Sequence, residues 1–521
     1  MRAFLSLVIL TSASTVRADD APAAKLETSA QEMSFLDVFK AAVRTAPALE
    51  HVGFDIARAD ASLLTAKAAE AFTLRINTDF NRTNGAPIPP STQGNKTDVL
   101  SANMSLSRLL PTNGTLELVG NTSKTNSDFS GIATNLITTS IKLRLTQPLL
   151  RGAGPAARNR NLDRARYARD AQLLTAIAAA NGFSGVISEN YWRLALAWKV
   201  LEVRRSGYDL ALKQKRFTEA AMRTGKIAAN ELIPIEAALA GREQDLLNAE
   251  FEVINRSLEL RKTVGLEVPL DRLAIKTDAL PEVDKTDVDL AAYVKRTIEN
   301  SKELEAARAT ARGADAAWRG SKRDLLPKLD LRIEGGPLGT DDKLGGSVDR
   351  LTARDGYAFS AGLSFELPIG RDGARGIHLD DRANRASAQH EVIELQTNLT
   401  SAVARAVYDV RTQRLKSGIA LRSIALAQAN VDAELKKFEL GKSTNNEIVR
   451  LQDELEIARL RHASTLADYV VAKAKLDAQA GILLDRLGVV VKTGTYNLDD
   501  FTHGKGHDRG HGHHPGDGHD H

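Results

Sequence analysis

The residues best suited to chemistry are seven histidines near the C-terminus of the chain. They alternate with glycine and with Asp508, Asp517 and Asp520, and they are His503, His507, His511, His513, His514, His519 and His521. Imidazole and carboxylate ligands together suit zinc, copper, nickel or cobalt, and glycine lets a chain wrap around a metal. Because the ligand spacing of a structural zinc site does not occur, the pattern predicts loose capture of a divalent metal. The same composition also fits a disordered solubilising tail.

The sequence contains no recognisable catalytic motif. It has no glycine-rich phosphate loop after a strand, no nucleophile elbow, and no pair of helical histidines with a glutamate between them. We therefore expect no enzyme activity and no required cofactor. The net charge of +4 gives no reason to expect a nucleic-acid partner.

The first eighteen residues have the pattern of a secretory signal peptide. Arg2 precedes an apolar run from Ala3 to Leu10, and small residues around Ala18 suit a signal peptidase. Residues 19–33 then form an N-terminal extension of the mature chain. The sequence has no cysteine, so an exported fold of this kind would lack disulfide bonds.

Two long stretches, residues 156–233 and 369–514, contain no proline and are expected to be helical. In the first, apolar or small residues recur at alternating steps of four and three, which is typical of a coiled-coil seam. A helix from Ala157 to Thr224 would be roughly 100 Å long, more than a compact domain needs. The seam residues are Leu173, Ile177, Ala180, Ser184, Ile187, Tyr191, Leu194, Trp198, Leu201, Tyr208 and Leu212.

Other segments alternate apolar and polar residues with a period of two, which is typical of strands with two different faces. Four candidate strands lie in the first half, near 73–81, 99–108, 115–122 and 139–147, with a turn at 111–114. Two lie in the second half, one of them from Tyr357 to Leu367. Such strands separate either a core from solvent or lipid from a polar lumen. Because the strands are too few to close a sheet alone, the second interpretation, with other copies completing the sheet, is favoured.

The two halves of the chain resemble each other, which predicts an internal duplication. Residues 35–76 align with 290–331, Leu143 to Arg151 with Leu363 to Arg371, and Asn230-Glu231 with Asn446-Glu447. The first repeat covers 34–264, with strands in 72–148 and a helical hairpin in 157–264 whose tip is near 225. A linker at 265–289 follows. The second repeat covers 290–487, with strands in 327–368 and a hairpin in 372–487 whose tip is near 441, and a tail covers 488–521, His-rich from 503.

This ordered set of features resembles the TolC-like outer-membrane efflux proteins, from about Ser34 to Leu487. The resemblance rests on the duplicated plan, on the strand-to-helix exits at 146–152 and 366–370, and on the two Gly-Lys turns between long helices. It implies a mainly α-helical fold with membrane β-structure. In it a long antiparallel coiled-coil barrel adjoins a transmembrane β-barrel shared by a homotrimer. Relatives commonly have two strands per half in a twelve-stranded barrel, so four strands in the first half are a departure.

The resemblance also assigns roles to residues at the hairpin tips. Gly225, Lys226 and Asn230, with Gly441, Lys442 and Asn446, would be the periplasmic tips where an adaptor protein docks. Glu447 occupies a position where relatives often carry an acid at the tunnel constriction. Arg450 stands where some relatives carry a second acid. Glu447 and Arg450 could equally form an ordinary ion pair on one helix face.

Together these features predict a passive trimeric channel in the outer membrane of a Gram-negative bacterium, with a large periplasmic part. It would release substrates delivered by an inner-membrane pump and a periplasmic adaptor, and the histidine tail favours heavy-metal cations over drugs. A type I duct for secreted protein is the alternative within the class. A soluble periplasmic coiled-coil adaptor or metal-binding scaffold is the alternative from another class.

Overall fold

The computed structural model of the chain describes residues 30–85, 96–129, 132–224, 231–284 and 286–488. The predicted signal peptide, the histidine tail and the tip residues Gly225, Lys226 and Asn230 lie outside these ranges. The elements in chain order are β1 (Gln31–Glu32), α1 (Phe35–Thr45), α2 (Pro47–Ala68), β2 (Thr73–Asn84), β3 (Lys96–Leu109), β4 (Thr115–Phe129), β5 (Ile132–Pro148), α3 (Pro155–Arg223), α4 (Leu232–Val264), β6 (Ile275–Lys276), α5 (Leu290–Asn300), α6 (Lys302–Asp324), β7 (Lys328–Asp341), α7 (Leu344–Ala353), β8 (Gly356–Glu366), α8 (Asp372–Glu439), α9 (Asn445–Gln479) and α10 (Leu483–Arg486).

The described chain divides into two compact units. The helical unit comprises residues 30–52, 177–301 and 397–488, and the sheet unit comprises 53–176 and 302–396, each with the gaps given above. The two longest helices, α3 with 69 residues and α8 with 68, contribute residues to both units.

The core of the helical unit forms around the predicted seam of α3. The seam is confirmed at its centre, where Ile187, Tyr191, Leu194 and Leu201 are at most 1% exposed. They pack with apolar residues of α1 and α4, including Val38, Phe39, Val253, Leu260 and Val264. A second cluster joins valines of α8 to residues of α9, namely Val403, Val407, Val410, Tyr469, Val470 and Leu476.

Two aromatic side chains within this core are hydrogen-bonded. The hydroxyl of Tyr191 donates to the Asp278 carboxylate at 2.8 Å, and the same carboxylate accepts the Phe35 N–H at 2.9 Å. The indole of Trp198 donates to the carbonyl of Ile275 at 2.7 Å. Burial raises the pKa of Tyr191, which keeps its hydroxyl protonated as a donor. These bonds fix the short parallel pair of β1 and β6, a pairing that no sequence pattern predicted.

The sheet unit contains one six-stranded antiparallel sheet, in the order β2-β3-β4-β5-β7-β8. The four strands of the first half and the two of the second therefore belong to the same sheet. Several strands are longer than predicted, β5 most of all. Within the described residues, β2 and β8 each pair on one side only, so the sheet has two open edges.

The predicted turn at 111–114 joins β3 to β4 and holds the exit from the sheet into α3. Asn113 adopts a left-handed conformation with φ of 66°, and its side-chain amide donates to the carbonyl of Gly152 at 2.7 Å. The Gln147 amide donates to the carbonyl of Thr112 at 3.2 Å. The first strand-to-helix exit is thus anchored by the hairpin that precedes it.

Among the described helices, α3 alone is long enough and has a stretch apolar enough to cross a bilayer, judged by length and composition only. The core helices of many soluble proteins pass the same test. About a third of that stretch is buried within the chain.

Candidate functional site

The six-stranded sheet has one apolar face, because the register aligns apolar side chains across neighbouring strands. Leu74 lies opposite Leu106, Leu106 opposite Leu118, and Leu118 opposite Leu143. These four leucines are between 38% and 54% exposed. The apolar face also includes the exposed residues Ile76, Phe80, Leu100, Met104, Ile141, Tyr357, Phe359, Leu363 and Phe365. An apolar surface of this extent is unusual on a water-soluble monomer and indicates contact with lipid or protein.

Among the strand residues whose side chains the structure describes, aromatic residues lie only on the apolar face. Phe80, Tyr357, Phe359 and Phe365 are the strand aromatics whose side chains the structure describes, and all four project from it. Just before β2, the Phe72 ring lies under the Arg108 guanidinium, 4.9 Å from its central carbon to the ring centroid. Aromatic rings beside apolar strand residues are typical of sheets that meet a membrane interface.

The opposite, polar face carries amides, hydroxyls and paired charges. Asn77, Asn103, Asn121 and Ser140 occupy one row across four strands, and the Asn121 amide donates to the Asn103 carbonyl oxygen. In another row Arg144 donates to Glu117 at 3.1 Å on one side and to Glu334 at 2.7 Å on the other. Cross-strand pairing satisfies these groups, while their exposed atoms suit contact with water.

Helix α7, in the connection between β7 and β8, packs on the apolar face where β5 and β7 continue beyond the leucine rows. The Ser347 and Thr139 hydroxyls are 3.0 Å apart and buried. A Cβ at Gly339 would come within 2.0 Å of the Ser347 carbonyl oxygen, so only glycine allows this approach. The sequence analysis missed α7, although Leu344, Val348 and Leu351 have helical spacing.

The second hairpin tip forms a tight reversal between α8 and α9. Gly441 has a φ of 68°, and the Lys442 N–H donates to the carbonyl of Lys437 at 2.9 Å, which closes the end of α8. Thr444 then caps α9, with its hydroxyl accepting the Glu447 N–H at 3.4 Å. Gly441, Lys442 and Asn446 are all exposed at this turn. Their first-half counterparts, Gly225, Lys226 and Asn230, lie outside the described residues.

A buried asparagine behind this tip joins α9 to the first hairpin, and sequence reasoning did not identify it. Asn445 is fully buried, and its side-chain oxygen accepts from Gln214 at 2.9 Å and from the buried Thr218 hydroxyl at 3.5 Å. Its backbone N–H donates to the Glu231 carboxylate at 3.3 Å. The sequence did contain a signal. Asn445 precedes Ile448, Leu451 and Leu455 at steps of three, three and four, and this helical spacing places residue 445, not 446, on the buried side of α9.

Glu447 and Arg450 contact each other on one side of α9. The Arg450 guanidinium donates two hydrogen bonds to Glu447, one of them at 3.0 Å, and a third to Glu454 at 2.5 Å. The hydrogen bonds and charge of Arg450 lower the pKa of Glu447, so the carboxylate keeps its charge to lower pH. The ion pair left open by the sequence is therefore present. A role at a constriction is a separate matter and stays a prediction.

The described residues contain no group of three or more side chains arranged to hold a metal ion. His378 contacts the Ser321 hydroxyl at 3.1 Å and stacks on Trp318, and His462 is half-buried with a pKa lowered by burial. Neither histidine belongs to a group of three or more possible metal ligands. The predicted metal capture concerns only the histidine tail.

Comparison with known proteins finds a matching family model and solved structures with a similar fold. The model of the family described as outer membrane efflux protein matches residues 293–481. The Campylobacter jejuni CmeC outer membrane channel has 12% identity, a TM-score of 0.64, and coverage of 86% of both chains. The outer membrane protein VceC of Vibrio cholerae has 13% identity and a TM-score of 0.64, covering 86% of this chain and 96% of VceC. The open-state MtrE outer membrane channel of Neisseria gonorrhoeae has 13% identity and a TM-score of 0.63, covering 86% of this chain and 89% of MtrE.

One relative is also similar in sequence. Protein CyaE of Bordetella pertussis is 23% identical over 355 residues, which span 68% of this chain and 72% of CyaE. The chain thus has the fold of outer-membrane channels, and its resemblance to the outer-membrane efflux proteins is confirmed.

Proposed function

We propose that this chain is the subunit of a passive outer-membrane efflux channel, which passes substrates from the periplasm to the exterior and uses no energy of its own. The observation that carries the proposal is the two-faced sheet. Its apolar face suits lipid, its polar face suits a water-filled lumen, and the fold is that of channels.

The open edges of the sheet require other copies of the chain. Strands β2 and β8 present backbone N–H and C=O groups that lipid cannot satisfy, so a membrane-embedded sheet must close on itself. The known channels of this fold support a homotrimer, in which β8 of one subunit pairs with β2 of the next.

The long helices support the same assembly. Tyr408, Leu415, Ile419 and Leu426 recur on α8 at steps of seven, four and seven, and each is at least 56% exposed. On α4, Phe251 and Leu247 are likewise exposed. Seams of this kind are covered when helices of neighbouring subunits pack side by side, which would build the coiled-coil barrel.

The hairpin tips would face the periplasm and meet the adaptor of an inner-membrane pump. Gly441, Lys442 and Asn446 are exposed for such a contact, and Gly225, Lys226 and Asn230 are their expected counterparts. Threefold symmetry would repeat the Glu447–Arg450 pair around the axis as a constriction. The Arg450 partner would reduce the negative charge of that ring.

The class of substrate is inferred from the histidine tail and not from the geometry of the sheet. The histidine tail favours heavy-metal cations, with drugs as the other efflux class and secreted protein as the cargo of a type I duct. A soluble periplasmic adaptor or metal-binding scaffold is the rival function. It would leave the apolar face of the sheet exposed to water.

The decisive experiment expresses the full chain in a Gram-negative host and fractionates the envelope. The mature protein should be extracted from outer membranes by detergent, migrate as a trimer, and form channels in planar lipid bilayers. Release by osmotic shock as a water-soluble monomer would overturn the proposal and support the rival. Isolation of the adaptor and pump that accompany the affinity-tagged protein in its native host would then identify the pathway.

A further inference from the structure

The hairpin of β3 and β4 is the feature of the sheet unit that the proposed function does not explain. These two strands are the addition to the two-strands-per-half plan that the sequence resemblance implies. They lie in the middle of the sheet, where β3 pairs with β2 and β4 pairs with β5 along their lengths. A hairpin outside a barrel would not separate β2 from β5 in this way.

Both faces of the sheet continue through the hairpin in the rows nearest the turn at 111–114, whereas the apolar face of β4 becomes polar from Thr122 to Asp128. Its apolar residues Met104 and Leu118 lie in rows with Ile76 and Leu143 on the apolar face. Its polar residues occupy the other face, and they are Ser101, Asn103, Ser105, Asn121 and Ser123. The hairpin therefore contributes to the same apolar face and the same polar face as β2 and β5, the strands that flank it.

We infer that β3 and β4 line the lumen of the proposed trimeric barrel, giving it eighteen strands and a wide bore for bulky hydrophilic cargo. The inference rests on the proposed function, since three copies of a six-stranded sheet must close together. At about 4.8 Å between strands and a tilt of about 40°, eighteen strands enclose a cylinder roughly 36 Å across between backbones. Twelve strands would enclose one roughly 24 Å across.

The charge on the polar face fits cargo of mixed or no charge. This face carries five basic side chains, Arg75, Lys142, Arg144, Lys328 and Arg332, and five acidic ones, Asp79, Glu117, Asp330, Glu334 and Glu366. Several are paired, as in Arg144 with Glu117 and Glu334. A balanced wall attracts neither sign strongly, whereas a path selective for metal cations would carry an excess of acids. The barrel wall therefore argues against the metal-cation cargo that the histidine tail favours.

Cysteine substitution tests whether the hairpin lines the lumen, and the absence of native cysteine makes each introduced thiol unique. Ser101→Cys places a thiol on the polar face of β3, and Ala102→Cys places one on the apolar face of the same strand. A negatively charged, membrane-impermeant thiol reagent should react with the first and change the ion selectivity of channels in planar bilayers. The second should react slowly and leave the channel unchanged.

Exclusion of polymers from the channel tests the width of the proposed barrel. Polyethylene glycols of increasing size are added from the extracellular side, so that entry reports the barrel and not the tips. Deletion of residues 86–131 removes β3 and β4 and leaves β2 to pair with β5, since Leu74 and Leu143 share one row and one face. The radius of the largest polymer that enters should fall by more than one third, because the backbone radius falls by about one third and the side chains occupy the same thickness in both barrels.

The outcomes separate the two proposals. A wild-type chain that forms no channel overturns both. Two results overturn the wide bore and leave the efflux channel standing. In one, the reagent does not change the selectivity of Ser101→Cys channels; in the other, wild-type channels exclude polymers at the size expected for twelve strands. Because the width is also measured on the wild type, a deletion variant that fails to assemble does not remove the test.

Discussion

Leu260 in the helical unit and Leu143 in the sheet unit are the same residue type in opposite situations. Leu260 is fully buried among side chains of its own chain, whereas Leu143 is 52% exposed in a row with other exposed leucines. The helical unit forms a core from its own residues, and the Tyr191 and Trp198 side chains within that core are hydrogen-bonded. The sheet unit leaves its apolar face to be covered by something else. The two units therefore differ in whether the chain itself covers their apolar residues.

The largest effect is expected from truncating Leu260. Leu260→Ala should lower the free energy of unfolding by about 2–5 kcal/mol, because it removes buried methyl groups and leaves a cavity. Leu143→Ala should cost less in detergent micelles, since detergent tails fill the space. The measurement is denaturant unfolding of the detergent-solubilised protein. Equal losses for the two variants would mean that protein, not lipid, covers the apolar face.

A charge on the apolar face should be the next most damaging change. Met104→Arg places a guanidinium among the exposed apolar residues of β3 and should cost about 2–4 kcal/mol if this face lies in lipid near the bilayer midplane. Ser105→Arg, one residue along on the polar face, is the matched control and should be tolerated. The yield of assembled trimer in outer membranes measures the difference. If the two arginines are tolerated equally, the faces do not meet different solvents.

A smaller effect is expected at the junction behind the second tip. Asn445→Ala removes the acceptor for Gln214 and for the buried Thr218, which should cost about 1–3 kcal/mol. The exposed neighbour serves as the control, and Asn446→Ala should change stability by less than about 0.5 kcal/mol. Thermal unfolding of both variants in detergent tests this. A loss at Asn446 as large as that at Asn445 would contradict the buried junction.

The sequence alone predicted the features that repeat locally along the chain. The period of two from Tyr357 to Leu367 and the heptad steps around Tyr191 depend only on neighbouring residues, so both were recognisable without tertiary information. The match of Asn230-Glu231 with Asn446-Glu447 also predicts that the tips correspond, and this stays a prediction because residues 225–230 lie outside the described ranges. That match selected the exposed Asn446, because conserved spacing between repeats does not distinguish a buried face from an exposed one.

The features that the sequence did not reveal depend on contacts between distant residues. Gln31 pairs with Ile275 through a two-residue strand, too short to give a pattern. Asn445 reaches Glu231 of the other hairpin. Helix α7 has a short apolar repeat, but glycine and aspartate around it are typical of a loop, and its packing on Thr139 decides its structure. That all six strands join one sheet also required the long-range pairing of β5 with β7.

The smallest change in stability, but an informative change in conduction, is expected at Arg450. In the wild type the Arg450 guanidinium lowers the pKa of Glu447, so acid removes that negative charge only at a pH below the usual range of a glutamate. Arg450→Ala should raise the pKa of Glu447 towards its ordinary value, so that loss of the charge begins at higher pH. In channels under a salt gradient, the reversal potential should report a cation preference at neutral pH that is lost in acid. The midpoint of this loss should lie at higher pH in Arg450→Ala than in the wild type.

Glu447→Gln is the matched control and should lack this titration in either background. If Arg450→Ala and the wild type titrate at the same pH, the tip pair does not set the charge that permeating ions meet, and the selectivity of the channel is decided elsewhere along its length.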